Sequence, residues 1–575
     1  MICQLKALQD CFPSSLRQIL NQLPKSLDET YVRVLRQIPQ ANLAHAHRML
    51  QCLMVAVRPL RVEELAELLA FEFDAAQGGI PKYRAAWQLD DQTQAVLSTC
   101  SSLVTIVDTW YSGQIVQFSH FSVKEFLMSS RLGDFSQYHI HPISAHTILT
   151  QACLGVLLHL DNHVNKSGVQ GPPLAKYAAR HWVEHARFED VASRVKDGME
   201  TLFDSDKPHF AAWVGIYDMD HAYSWHFSYS ERFPKPKPNP LYYSVLCGFY
   251  SLVKNLATKH PQHVNATCGH YRFPLFAALS ADHVDIAELL LEHGANVNIR
   301  DTTGETILLK VLSRPQRDLV NKVRLLLKHA ADVNARDRTL RSSLHLAESE
   351  GEFEVAQILV MHKADVNSPD NDGKTPLHIL SEYRMHNESD LLNHAHLLLE
   401  HGAEVNKRDK DHETPLQLAI RRARFKLAKI LLEHGADATA ENNKGKTPLH
   451  ILSESWINNR GNILTYVLLL LKHGAEVNRR DKDNESPLHL AIRLDRFKLA
   501  KILLEHGADP NAENNKGKTP LYILSERPIY CKRGSGDVLD HTGPWSERGG
   551  EVNTWYKDSE ASSPLELGTR VYKFT

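Results

Sequence analysis

Nine related fragments restrict what this chain can fold into more than any other feature. The strings TPLH, TPLQ, TPLH, SPLH and TPLY begin at Thr375, Thr414, Thr447, Ser486 and Thr519, and each except the last precedes an apolar segment ending in His-Gly-Ala. Weaker copies extend the series upstream. Their second positions are Pro240, Pro274, Ile307, Ser343, Pro376, Pro415, Pro448, Pro487 and Pro520, spaced by 34, 33, 36, 33, 39, 33, 39 and 33 residues. Thr375 can cap a helix through its hydroxyl, and Pro376 takes the first helical position, where a missing N–H costs nothing. In the following segment Leu427, Ile430 and Leu431 recur at i, i+3 and i+4, and Gly435 supplies a left-handed residue to end a second helix. Each repeat is therefore a helix pair. One pair cannot bury its apolar face, so neighbours must stack into a solenoid.

A period near 33 carrying T-P-L-H resembles the ankyrin-repeat proteins, over Pro240 to about Glu526. The resemblance implies a protein-binding surface made of hairpin tips and the concave face of inner helices. The alternating 33 and 39 spacings add that the late unit is 72 residues long, a duplicated repeat pair. Glu413–Leu449 and Glu485–Leu521 share 31 of 37 positions. The long members carry six extra residues near Tyr383–Asn387 and Trp456–Gly461, which predicts a row of loops opposite the tips. Gly550-Glu551-Val552-Asn553 and Ser563-Pro564-Leu565 read as a decayed end repeat, its Gly and Pro content opposing a well-formed helix.

Upstream of the repeats the pattern differs. Ser26 with Glu29 suggests a capping box before a stripe of Leu27, Tyr31, Val34, Leu35 and Ile38. Helices are expected over Leu43–Val57 and Val62–Phe71, broken at Pro59, then strands over Leu103–Asp108 and Ile115–His120, and a helix capped by Ser122 with Glu125. This order suggests a winged helix. The strings LPKSLDETYVRVL, RPLRVEELAELL, VQFSHFSVKEFL and YAARHWVEHARFEDV resemble the segment following the ATPase in fungal NACHT-domain ankyrin proteins, NOD-like signalling NTPases. That resemblance implies a truncated or degenerate member, with Cys3–Leu23 the remnant of a missing P-loop domain. It also implies that His120, the match to a histidine that reaches bound nucleotide, makes a vestigial phosphate contact; without a P-loop the competing expectation is a packed residue at a helix start. The expected organisation is an ATPase-tail remnant over 1–25, a winged-helix-like domain over 26–135, a helical connector over 136–233, a Pro-rich spacer over 234–239, repeats over 240–527 and a degenerate tail over 528–575.

Composition enters through exclusions. Basic and acidic residues number 66 and 68, so no bulk field holds a phosphate backbone, and Trp110–Gln114, the expected wing, carries no Lys or Arg. Eight cysteines are scattered without a CxxC pair, the longest apolar run, Ile463–Leu471, is half a membrane span, and Lys6 and Asp10 interrupt the N-terminus where a signal peptide needs an apolar core. A cytoplasmic chain, with a nuclear alternative, is the resulting expectation, with no membrane contact and no cofactor.

The 33 histidines raise metal and acid–base chemistry. His181, Glu184 and His185 match H-x-x-E-H, the inverted zincin pattern of a zinc metallopeptidase, with both imidazoles on one helix face. No third-ligand motif follows, and the competing reading packs Trp182 and His185. His394, His396 and His401 could form a ligand cluster, but His401 belongs to the repeated His-Gly-Ala and the others to an outer helix. Gly373, Gly445 and Gly517 each begin a GKT that resembles the end of a Walker A loop, yet the required earlier glycine is Ser368, Ala440 and Ala512. The basic run Arg421, Arg422, Arg424, Lys426, Lys429, partly repeated at Arg493, Arg496, Lys498 and Lys501, reads first as a solvated helix face, then as a nuclear signal or an acidic partner's site. Trp213, Tyr217, Tyr223, Trp225, Phe227, Tyr229 and Phe233 precede a stiff Pro234–Pro238 spacer and are expected to pack the connector on the first repeat.

These readings converge on a mainly α fold: an ankyrin-repeat solenoid preceded by a winged-helix-like domain and a helical connector. The function expected is a non-enzymatic protein-interaction scaffold without catalytic or metal-binding residues. Its expected contact residues are Lys407, Arg408, Lys410, Asp411 and His412 at one tip and Arg479, Arg480, Lys482, Asp483 and Asn484 at its copy. The alternatives are a regulatory fragment of a NACHT signalling NTPase, of innate-immunity or incompatibility type, and a zinc metallopeptidase.

Overall fold

The computed structural model describes residues 26–73, 79–109, 113–160, 171–222, 238–313, 317–383, 388–455 and 463–525. The expected ATPase remnant, the wing residues 110–112, most of the spacer and of both loops, and the C-terminal tail lie outside them. The chain forms two compact units, dividing between Asn296 and Val297.

In the first unit α1 (Leu27–Arg36) starts where expected, the Ser26 hydroxyl accepting from Glu29 N at 3.1 Å, and buries Tyr31 and Leu35 one turn apart. α2 (Leu43–Val55) buries Ala46, Met49, Leu50 and Cys52. After Pro59 come β1 (Leu60–Arg61), α3 (Val62–Ala66), a 3-10 turn to Ala70, and the short strands β2 (Phe71–Glu72) and β3 (Lys82–Tyr83). α4 (Gln92–Cys100) precedes the hairpin of β4 (Val104–Thr109) and β5 (Gly113–Phe118), registered from Val104↔Phe118 to Thr109↔Gly113. The antiparallel sheet is ordered β1-β5-β4. Helices against this sheet give the expected winged helix. The sequence did not announce β1, since two residues show no alternation, or α4, whose Gln/Thr/Ser composition carries little apolar stripe. α5 (Phe121–Leu127) is capped by His120 rather than Ser122: the imidazole Nδ1 accepts from Ser122 N.

The connector follows as α6 (Pro142–His159), α7 (Ala175–Ala186), α8 (Val191–Arg194), α9 (Lys196–Leu202), α10 (His209–Ile216) and α11 (Met219–Ala222). α6 is buried on most sides from Leu149 to Leu157, as an all-round apolar helix must be. The buried Glu67 carboxylate accepts from Leu174 N (2.6 Å), Tyr83 Oη (2.7 Å) and Gln88 Nε2 (3.2 Å), joining connector and winged helix. Two helix pairs then begin the repeats: α12 (Pro240–Leu246) with α13 (Tyr250–Lys259), and α14 (Pro274–Ser280) with α15 (Val284–Glu292). The connector seals the first of them. Trp213 meets Tyr243 edge-on at 6.2 Å, Tyr242 and Tyr243 donate to Asp220 and Asp218 (both 2.8 Å), and Arg187 donates to the Leu246 and Cys247 carbonyls at the end of α12. Trp213 thus packs as expected; Tyr217 receives Arg180 over its ring, and the five later aromatics lie outside the described residues.

The second unit continues as pairs: α16 (Ile307–Leu312) and α17 (Leu319–Lys328), α18 (Ser343–Glu350) and α19 (Phe353–Met361), α20 (Pro376–Glu382) and α21 (Glu388–Glu400), α22 (Pro415–Arg421) and α23 (Phe425–Glu433), α24 (Pro448–Glu454) and α25 (Ile463–Lys472), α26 (Pro487–Arg493) and α27 (Phe497–Glu505), then α28 (Pro520–Ser525). Gly402, Gly435, Gly474 and Gly507 end second helices at φ +85° to +91°, where a side chain would be strained. Beyond them an asparagine ladder ties repeat to repeat. Asn298, Asn334, Asn367, Asn406 and Asn478 each donate Nδ2 to a carbonyl of the next repeat and accept at Oδ1 from a backbone N–H two residues further on. At Thr439 the ladder residue is missing, and the hydroxyl turns back to Asp437 at 2.7 Å.

Candidate partner-binding face

Each repeat of the second unit offers a hairpin tip, built as a turn in which the fourth residue donates its N–H to the carbonyl of the first. His412 N reaches Asp409 O at 2.9 Å, Gly445 N reaches Asn442 O at 2.8 Å and Asn484 N reaches Asp481 O at 2.9 Å. From the 337–340 tip onward adjacent tips are zipped by one backbone bond each: Asn371 N to Thr339 O, Lys410 N to Asp372 O, Asn443 N to Asp411 O, Lys482 N to Lys444 O and Asn515 N to Asp483 O, all 2.8–3.1 Å. The N–H groups of 410–412 and 482–484 are therefore spent inside the solenoid, which leaves a partner chiefly their side chains.

The ten expected contact residues divide accordingly. Arg408 and Arg480 donate to the Glu441 and Glu513 carbonyls of the next repeat, at 3.4 and 3.1 Å, and act as clamps within the stack. Lys407 pairs with Glu404 at 3.0 Å, Arg479 pairs with Glu441 and with Glu476, and Asn484 donates to Glu513 O at 2.8 Å. Lys410, Asp411, His412, Lys482 and Asp483 are exposed, and their side chains have no partner among the described residues. Behind the tips the first helices carry paired charges whose order reverses from repeat to repeat: Lys374–Glu382, Glu413–Arg421, Lys446–Glu454 and Glu485–Arg493. Glu413, Arg421, Asn442, Lys446 and Glu454 line a cleft of about 470 Å³ in which both signs are already matched. The two GKT lysines in this ladder are held by carboxylates, and the glycines are tip residues at φ +77° (Gly373) and +71° (Gly445).

The repeated histidines are structural in two distinct ways. His345, His378, His450 and His489 each accept at Nδ1 from the N–H of the capping Ser or Thr three residues earlier (3.1–3.2 Å). Each donates Nε2–H to a backbone carbonyl of the next repeat (2.9–3.2 Å). This geometry requires the neutral Nε2–H tautomer. Burial opposes the charged form further, taking His378 and His450 down to about 4 and lowering His345 and His489. At the equivalent position Gln417 does the same work with an amide, Oε1 accepting from Thr414 N (2.9 Å) and Nε2 donating to Ala440 O and Lys446 O (3.0 and 2.8 Å). The helix-end histidines hold the opposite tautomer. His293, His362, His401, His434 and His506 donate from Nδ1 to the carbonyl four residues back, at 2.8–2.9 Å.

The remaining candidates do not converge into sites. His181 and His185 make different bonds. His181 Nδ1 lies 3.4 Å from Glu184. His185, fully buried and pushed down to about 3 mainly by burial, links Tyr177 Oη (2.9 Å) to His146 Nδ1 (3.0 Å). Tyr177 Oη accepts from Val57 N, so it donates to His185 Nε2, and His185 Nδ1–H donates to His146. The string thus packs within the connector, and Tyr177, one turn before it, makes the contact to Val57 on the winged-helix side. His120 Nδ1 is occupied by Ser122, whose hydroxyl also meets Tyr31 Oη at 2.7 Å. His394 lies on α21, the second helix of its pair, where it is buried and faces Glu348 Oε1 at 2.5 Å, while His396 contacts the ring of His434. Among the described residues no three His, Cys, Asp or Glu side chains converge on a metal position. In the basic run Arg421 pairs with Glu413, Arg424 reaches the Tyr383 carbonyl, Lys426 pairs with Glu388 and Lys429 with Glu433. Among the described residues no helix is long and apolar enough to cross a membrane.

Comparison with known proteins agrees with this architecture. A family model described as ankyrin repeats (3 copies) matches residues 241–337, 316–409, 386–481 and 457–528, together half of the chain. A second model, the GPI inositol-deacylase winged helix domain, matches residues 36–140. The chain is 31% identical over 300 residues to the azaphilone pigments biosynthesis cluster protein L of Monascus ruber, covering 49% of this chain and 62% of that protein. It is 38% identical over 61 residues to alpha-latrocrustotoxin-Lt1a of Latrodectus tredecimguttatus, covering 11% and 4%. The chain thus spans less than two thirds of either relative.

Proposed function

This chain belongs to the ankyrin-repeat proteins, and on that premise we propose that it is a non-enzymatic scaffold whose protein partner docks across the hairpin tips and the adjoining first-helix face. One observation carries the reading: the tip N–H groups are spent inside the solenoid while Lys410, Asp411, His412, Lys482 and Asp483 stand exposed, in the same order, 72 residues apart. Matched charges in the cleft disfavour a polyanion and suit a partner that carries both signs. The reading places the protein in the cytoplasm or nucleus and needs no cofactor. Combined alanine changes at 410–412 and 482–484 test it. A protein recovered with the wild-type chain is to lose at least tenfold in affinity, and unchanged affinity would exclude the tips.

A second reading is favoured by the winged helix and by the bonds from Glu67 and Val57 that join it to the connector: the chain is the regulatory part of a NACHT-type signalling NTPase. Genomic sequence upstream of Met1 decides between them. An in-frame P-loop there supports the regulatory reading; uninterrupted non-coding sequence supports the scaffold alone.

A further inference from the structure

A chain of hydrogen bonds in the first unit runs from a half-exposed histidine to the winged-helix backbone, and every bond in it has a direction. Val57, just past α2, donates its N–H to Tyr177 Oη at 3.1 Å. The Tyr177 hydroxyl donates to His185 Nε2 at 2.9 Å, and His185 Nδ1–H donates to His146 Nδ1 at 3.0 Å. Tyr177 and His185 are fully buried, whereas His146, on α6 and stacked against Phe188 at 4.1 Å, is partly open to water. Among the described residues the Tyr177 hydroxyl bonds Val57 and His185 alone.

Such a chain tolerates one proton state. Protonated at Nδ1, His146 can no longer accept, so His185 must change tautomer, accepting at Nδ1 and donating from Nε2. Tyr177 Oη then accepts twice, from His185 and from Val57, and its own O–H is left buried without an acceptor, which is costly. The titratable and charged neighbours do not supply one. On α7 His181 faces Glu184 at 3.4 Å, and Arg180 turns to the ring of Tyr217. On the winged-helix side Arg58 lies 5.0 Å over the Tyr177 ring, its guanidinium held by Glu64 at 2.7 and 2.8 Å. Cys52 on α2 and Cys153 on α6 are thiols that burial keeps neutral. Burial also holds His185 down at about 3, so a proton arriving from water stops at His146, which burial lowers from the ordinary 6.5. Letting Val57 go admits water to the orphaned hydroxyl. We propose that this chain is a proton-operated latch: a proton on His146 reverses its bonds and releases Val57, loosening the winged helix from the connector while the Glu67–Leu174 bond keeps the two joined. The latch is independent of what the tips bind.

Hydrogen exchange at the Val57 amide reads the latch. It is measured on the full chain by mass spectrometry with electron-transfer fragmentation, at about pH 7.5 and about pH 5, each rate divided by the intrinsic rate at that pH. Protection of Val57 should fall by about fivefold or more between the two, while the amides of Met49 and Leu50 inside α2 keep theirs. His146→Asn and His146→Gln retain an acceptor that cannot be protonated, and at least one of them should hold Val57 at both pH values. Wild-type protection at Val57 that does not change with pH overturns the latch, as does a fall shared equally by Met49 and Leu50, which would be general acid unfolding. Failure of both His146 variants to hold Val57 at both pH values overturns it too, since the proton would then act elsewhere.

Discussion

Two steps of the solenoid, 72 residues apart, solve one packing problem in opposite ways. In the earlier step Glu348 on α18 and His394 on α21 meet at 2.5 Å, with side chains 0% and 3% exposed and Phe353 beside the imidazole. In the later step the matching residues are Ile420, Tyr466 and Phe425, and Tyr466 stacks on Phe425 at 3.8 Å and 14°. The first pairing leaves Glu348 Oε2 buried without a partner, and burial raises the Glu348 carboxyl pKa. The second leaves no buried polar atom of Ile420, Phe425 or Tyr466 without a partner. Both steps keep the same tip turns and capping pattern, so the repeated backbone framework defines the fold, and the contents of each interior are negotiable within it.

That comparison can be broken most directly at the buried pair. His394→Leu strands an uncompensated carboxyl and should cost about 3–5 kcal/mol by urea unfolding, whereas Glu348→Ile with His394→Tyr, which installs the later solution, should be neutral or stabilising. A double variant as unstable as the single one would show that the two steps are not interchangeable. The capping residues give the next effect. His378 and His450 fall to about 4 in the folded chain from 6.5, so the unfolded state binds more protons between those values. Their contribution is level above pH 6.5 and is lost as pH falls toward 4, roughly 3 kcal/mol per histidine in the limit. Replacing both by Gln, the residue the framework already uses at 417, should flatten that part of the urea-midpoint profile; an unchanged slope would locate the acid sensitivity elsewhere. Smallest is the cap itself. Thr414→Ala and Ser486→Ala remove equivalent hydroxyls and should each cost about 1 kcal/mol by thermal unfolding. A large inequality would mean that Gln417 and His489 do not cap equivalently.

Much of this was readable from residue order. The 33-residue period required helix pairs, Thr-Pro and His-Gly-Ala marked their ends, and the matching glycines and caps lie where the spacing put them, because capping and left-handed turns are local requirements. The winged helix was readable in outline, although the cap belonged to His120 rather than Ser122. His120 accepts the N–H of Ser122 itself, whereas a Ser122 cap would take that of Glu125, and spacing does not rank the two. Burial was the least legible property. His394 and His396 are two residues apart on one helix, and nothing in their order indicates that the first faces a carboxylate 46 residues away while the second meets the ring of His434.

The tips show the same division. The sequence by itself determined that basic and acidic residues recur there every 72 residues, since duplication is a property of the string. Only the tertiary structure decided that Arg408 and Arg480 are spent on carbonyls of the next repeat, that Lys410 and Lys482 are not, and that Leu340 is held left-handed and exposed. The reason is physical. A cap or a turn is satisfied within a few residues, whereas the fate of a long side chain depends on which donors, acceptors and empty space the neighbouring repeat brings within reach.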